Sequence, residues 1–266
     1  MWIPPQCTLH SFPILIHLTN EQFPRLSNGL VFRISSIPEI LEMQSGFQYP
    51  SSVSHSDHPN DTIITLPIYR IATLLFQSFE STVDHLCRIL HVPTVRSLMK
   101  SFYLRLNQNE AVSSDEAALL LSIFAIAAYF YQPFDNSEVA TSRKYGVHLS
   151  KFLSKGALDV LDYSRRNTSG TLGDVQASIL MSFVTYHLDG FSARGRFLST
   201  AAASIARELR LHRLDAEIET STVENESSVR CLIDREVKRR VFWHIASTDW
   251  WATISYPRFT RCWRRY

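Results

Sequence analysis

A chain of 266 residues that is 45% hydrophobic carries enough apolar side chain for the core of one large domain, which excludes a disordered protein. Lys and Arg number 27 against 25 Asp and Glu, so the net charge is only +2, which excludes a surface built throughout to hold a nucleic-acid backbone. Eight glycines are few for this length, and the count favours helices over loop-rich β folds and phosphate-cradling α/β folds.

The first 62 residues alternate apolar patches with Pro, Ser, His and Asn, and "QYPSSVSHSDHPND" has the composition of a solvated linker. A poorly structured N-terminal segment is therefore expected over 1–62, a helical domain over 63–256 and a basic tail over 257–266. The short apolar run near the N-terminus has no basic leader and no small-residue cleavage site, which argues against a signal peptide. Cys7, Cys87, Cys231 and Cys262 lie far apart with no C-x-x-C pair, which reads as ordinary thiols in a reducing, intracellular compartment.

From Thr65 onward apolar residues recur at three- and four-residue steps: Ile68, Ile71, Leu75 and Phe79, then Val83, Leu86, Ile89 and Leu90. That pattern predicts one long helix or two in series, interrupted at Pro93, with Thr94 and Val95 opening the next. Ser113 or Ser114 is an N-cap for "AALLLSIFAIAAYFY", a run short of the roughly 20 residues a bilayer demands, so it reads as a central buried helix. A further helix is expected over about 137–165, and another from Asp174 to a stop at Gly190. In "STAAASIARELRLHRLD", Ala202, Ile205, Ala206 and Leu209 share a face that admits a close neighbour, while Arg207, Glu208 and Arg210 face solvent. His212, with no second ligand beside it, reads as a helix-end histidine bonding the last carbonyls. No β-rich segment competes, so the fold class is all-α, a layered multi-helix array.

In "REVKRRVFWHIASTDWW" (235–251), Val237, Val241, Ile245 and Thr248 make one face, Phe242 widens it, and Trp243 with Trp250 form a second. A helix so apolar is expected deep in the core, entered through a charged first turn. There Glu236 lies within one turn of Arg239 and Arg240, for ion pairs worth a few tenths of a kcal/mol. Glu217, Glu219, Glu224 and Glu226 of the preceding loop are expected to meet the remaining basic charge. Asp249, a carboxylate at the buried end, is expected to pair with a base such as His212 or Arg207.

Catalytic templates fail: there is no G-x-S-x-G, G-x-x-x-x-G-K-[ST], H-E-x-x-H or G-x-G-x-x-G, and His85 with His91 lacks a third metal ligand. No catalytic, cofactor-binding or metal residue is assigned, and no cofactor is expected.

Three segments carry a resemblance: "LHVPT" with "RSLMKSFY" around 91–103, "GRFLSTAAASIARELRLHRLD" over 195–215, and "REVKRRVFWHIASTDWW" over 235–251. Together they resemble the regulatory, middle-homology domain of fungal zinc-cluster transcription factors, over about 65–256. The signature residues are His91, Pro93 and Thr94 at a helix start; Arg207, Leu211, His212 and Arg213 at the end of a small-residue helix; and Arg239, Arg240, Phe242, Trp243 and Asp249. The resemblance implies an all-α domain acting in the nucleus through protein partners of the transcription machinery or a related factor, on a metabolic or secondary-metabolite gene set. The family's six-cysteine zinc module has no counterpart here, so this chain is not expected to bind specific DNA directly. "SYPRFTRCWRRY" stops where the family continues with further helices, which reads as C-terminal truncation. The alternatives are a helical small-molecule sensor or enzyme, with an effector in a core pocket, or a nonfunctional fragment.

Overall fold

The computed structural model describes residues 25–26, 29–44, 62–132, 138–214 and 229–255, without the side chains of 25–26 and 249–255. It is mostly helical, with one small sheet that the sequence reading did not anticipate. Strand β1 (Arg25–Leu26) pairs antiparallel with β2 (Leu30–Ser35), and β2 pairs parallel with β3 (Thr62–Pro67), with Leu30 opposite Thr62 and Ser35 opposite Pro67. Helix α1 (Ile37–Gln44) leaves β2 directly and buries Ile37 and Ile40.

The expectation of a poorly structured segment over 1–62 thus fails for residues 29–44. Leu30, Val31 and Phe32 are core residues, and Phe32 meets Phe102 edge to face at 6.1 Å. Thr65, expected to begin a helical pattern, is a β3 residue, and Ile68 is the N-cap of the helix that follows. The physical reason is the composition of "LVFRIS" and "TIITLP": β-branched and aromatic side chains suit a pleated surface, and six residues are too few to reveal a period.

Helix α2 (Tyr69–Thr82) buries Ile71, Ala72, Leu75, Phe76 and Phe79, and a single turn, α3 (Asp84–Cys87), ends at Arg88 with φ 48°. The predicted break follows, and Pro93 occupies the first turn of α4 (Val92–Asn107), where its missing N–H costs nothing. Tyr103 of α4 donates to the Pro67 carbonyl at 2.7 Å, tying the helix to the end of β3.

Helix α5 (Ser114–Phe130), with Ser113 at its N-cap, buries every residue from Ala117 to Ala128. It is apolar on all sides because it is surrounded, by α2, α6 (Arg143–Asn167) and α7 (Leu172–Asp189). Among the described residues no helix is long and apolar enough to cross a membrane. α6 comes so close to α5 that a Cβ on Gly146 would lie 2.8 Å from the Ala128 carbonyl oxygen. α7 carries α8 (Ala193–Glu208), which leads through a short 3₁₀ turn (Leu211–Arg213) towards α9 (Val229–Ser255).

Candidate functional site

The helix ends around α7 define the site. Thr171 caps α7: its hydroxyl accepts from the Asp174 N–H at 3.2 Å while the Asp174 carboxylate accepts from the Thr171 N–H at 2.9 Å. The same hydroxyl donates to Asp115 at 2.9 Å, so the starts of α5 and α7 are held together. Gly190, at φ 68°, ends α7 in the left-handed region, and Ser192 caps α8 by accepting from the Gly195 N–H at 3.2 Å. The reading of Asp174 as a start and Gly190 as a stop holds, with the helix opening at Leu172.

Ala202 and Ala206 are buried where α8 leans on α7, as expected, with Ala203 beside them, whereas Ile205 is half-buried and Leu209, expected on the same face, is exposed. α6 also packs on α7, and between α6 and α8 a cleft of ≈ 1020 Å³ remains. Ser154, Asp174 and Ser178 line it as buried polar residues, with Leu158, Leu198 and Ile205 among its apolar ones. Arg165 reaches over the Phe197 ring at 4.8 Å, a cation–π contact joining the two sides. Gly170, at φ 85°, sits so close to Ile205 that a Cβ there would lie 2.8 Å from its side chain. No histidine lines the cleft, while Asp, Glu, Lys and Arg side chains do.

Burial pushes the Asp174 carboxyl above the ordinary aspartate range, against hydrogen bonds from Ser164 and Thr171, and the Asp115 charge adds to the rise. The folded chain therefore binds this proton more tightly than the unfolded chain. The stabilising contribution is fully present below the ordinary value of 3.8 and is lost as pH rises through the folded value. Asp174→Asn keeps an oxygen for the Thr171 N–H and removes the titration. In thermal melts between about pH 4 and pH 7, the variant is expected to gain on the parent as pH rises; parallel curves would refute the assignment.

The signature residues fall in three places. His91 is the N-cap residue of α4, with Nδ1 2.7 Å from the Thr94 hydroxyl, so His91, Pro93 and Thr94 build a helix start. Leu211 is buried, whereas His212 and Arg213 are exposed in the 3₁₀ turn. His212 is therefore not in the last turn of α8 as expected: the helix ends at Glu208, and Arg210 at φ 57° turns the chain first. Arg207 is half-buried; Glu208 and Arg210 are exposed as predicted.

Arg239 and Arg240 meet Glu236 at 2.7 and 2.9 Å, as the spacing predicts, and these hydrogen bonds hold the Glu236 carboxyl below its ordinary range. Two expectations about this helix are corrected. It starts at Val229, so the basic residues lie beyond its first turn, and Lys238 pairs with Asp234. Its described side chains also do not lie deep in the core: Val237, Val241 and Ile245 are buried in one stripe towards α7 and α8, Phe242 is half-buried, Thr248, expected on the same face, is exposed, and Trp243 is 62% exposed. Glu217, Glu219, Glu224, Glu226 and the side chains of Asp249 and Trp250 lie outside the described residues, as does the tail over 257–266.

Sequence reasoning missed two features. Gln176 of α7 donates to the Ile89 carbonyl at 2.7 Å, satisfying the chain between α3 and α4 in the interior. His187 sits among Tyr129, Phe130, Phe183 and Tyr186, with centroids 4.8 to 5.5 Å away, and burial pushes its pKa down. Neither has a local signal, because each depends on a helix neighbour remote in the chain. Cys87 is a buried free thiol, pushed up to about 11 by burial and by Asp84; Cys231 is free and exposed. Among the described residues no group of three His, Cys, Asp or Glu is placed to hold a metal.

A sequence profile of the family described as "Fungal specific transcription factor domain" matches residues 76–258. The chain is 37% identical over 231 residues to a probable transcription factor, lepB, of Aspergillus flavus, which covers 86% of this chain and 41% of that protein. It is 31% identical over 206 residues to the agnestins biosynthesis cluster transcription factor AgnL11 of Paecilomyces divaricatus, covering 76% of this chain and 28% of that one. It is 30% identical over 188 residues to the transcription factor TAS2 of Pyricularia oryzae, covering 67% of this chain and 23% of that one. The chain thus spans less than half the length of these relatives, and no solved structure matches it. The family and these relatives are transcription factors, not enzymes, and the matched region takes in α4, α8 and α9 with all three signature segments: the chain belongs to the fungal specific transcription factor domain family.

Proposed function

We propose that this protein regulates transcription in the nucleus and controls a secondary-metabolite biosynthetic gene set, acting through protein partners of the transcription machinery or a related factor. The observation that carries the reading is the match across 76% of the chain to a relative named for a biosynthesis cluster. The helical body supports a regulatory role: its arginines at 239 and 240 are engaged along their own helix by Glu236, not held free for a phosphate backbone. Deleting and overexpressing the gene in its host, with transcripts measured genome-wide, is the test. Coordinated change across one contiguous set of biosynthetic genes is expected; no such set would refute the reading. With the purified chain, a gel shift on varied DNA is expected to show no sequence-specific complex, and a sharp specific band would place DNA contact in this chain.

The cleft between α6 and α8 favours a second reading, in which the domain also senses a small molecule.

A further inference from the structure

We infer that the cleft between α6 and α8 binds a neutral, largely apolar organic molecule bearing a carbonyl or hydroxyl group. The inference rests on the sensing reading above and gives it a site and a ligand class.

Size is the first observation. At ≈ 1020 Å³ the cleft is at the upper end of pockets that enclose a drug-sized ligand, roughly 300–1,000 Å³. Leu158, Leu161, Leu188, Phe197, Leu198 and Ile205 give it an apolar lining from α6, α7 and α8. Charge is the second. Several ionic groups lining the cleft sit beside an opposite charge: Arg165 pairs with Asp162, Arg194 lies 3.9 Å from Asp189, and Lys155 partly offsets the burial that raises the Asp159 carboxyl, while Lys151 and Glu208 add one charge of each sign. Paired in this way they offer little attraction to a charged ligand.

The third observation supplies the polar handle. Ser154, 6% exposed, lines the cleft, yet its hydroxyl has no hydrogen-bond partner. A helical serine ordinarily returns its hydroxyl to the carbonyl one turn back, as Ser122 does to Ala118 at 2.7 Å. Ser154 does not, so a ligand oxygen would satisfy it. Asp174, also lining the cleft, is raised towards its neutral, donating form by burial. The Ser154 hydroxyl and the Asp174 carboxyl, whose Oδ1 likewise has no hydrogen-bond partner, suit a carbonyl or hydroxyl oxygen. Because α8 also carries α9, a ligand bridging α6 and α8 would bias the placement of α9.

Benzophenone, an apolar ketone that couples to nearby C–H bonds on irradiation, is the probe. With the purified full chain, peptide mass spectrometry is expected to show saturable labelling on α6 and α8. Ala201→Trp, which fills the cleft, should abolish it at unchanged melting temperature, and Ser204→Trp serves if that variant does not fold. Ser154→Ala should weaken it by about fivefold, the loss of one neutral hydrogen bond. Labelling that never saturates, or that persists in both tryptophan variants, overturns the inference and leaves the groove to a protein segment. Labelling reads the site alone and transcripts read regulation, so failure of one is distinguishable from failure of the other.

Discussion

Phe124→Ala is expected to lower stability by about 3–5 kcal/mol, the cost of emptying a fully buried aromatic site. For a domain of this size that corresponds to a fall in melting temperature on the order of 10 °C. Phe124 lies midway along α5, where every neighbouring residue of the helix is buried and α2, α6 and α7 close around it, so collapse into the vacated space is opposed from several directions. Leu104→Ala is the control: Leu104 is an exposed leucine on α4, and its loss is expected to move stability by less than about 0.5 kcal/mol. If thermal melts showed the two variants equally affected, α5 would not be the centre of the core.

The second large effect is a reversal of sign within one helix. Alanine for glycine inside a helix ordinarily stabilises by about 0.5–1 kcal/mol. Gly156→Ala on α6 should do so, because the new Cβ would meet Ile64 and Leu121 side chains at an ordinary 3.8 Å. Gly146→Ala on the same helix should destabilise by about 1–3 kcal/mol, because its Cβ would meet the backbone oxygen of Ala128 at 2.8 Å and no rotamer change can relieve that. Chemical denaturation of both variants checks the contrast; a gain at both positions would mean that α5 and α6 separate easily.

What was legible in the sequence was local. α5 announces itself because a run from Ala117 to Tyr131 without a charge has nowhere to lie but the interior. Asp174 and Gly190 mark their helix because capping is read by residues within a few positions of one another. The sheet was not legible, since Leu30 finds Thr62 across an intervening stretch and nothing in either strand names the other. α9 was misjudged for a different reason. Counting Trp243 as core because it is apolar overlooks that a tryptophan can sit at the surface, whereas Phe242 does pack against the core beside the buried stripe. The cleft was invisible because it is the space that α6 and α8 leave between them, set by how each sits on α7.

The narrow stripe on α9 has a thermodynamic meaning. Of its described side chains only Val237, Val241 and Ile245 are buried, and its ion pairs with Glu236 and Asp234 run along the helix itself, so they survive intact when the helix lifts away. Lifting α9 away leaves those pairs intact, whereas opening α5 dismantles the buried centre of the body. Local openings of the domain therefore differ in cost, and the buried central helix stands at the top of that range.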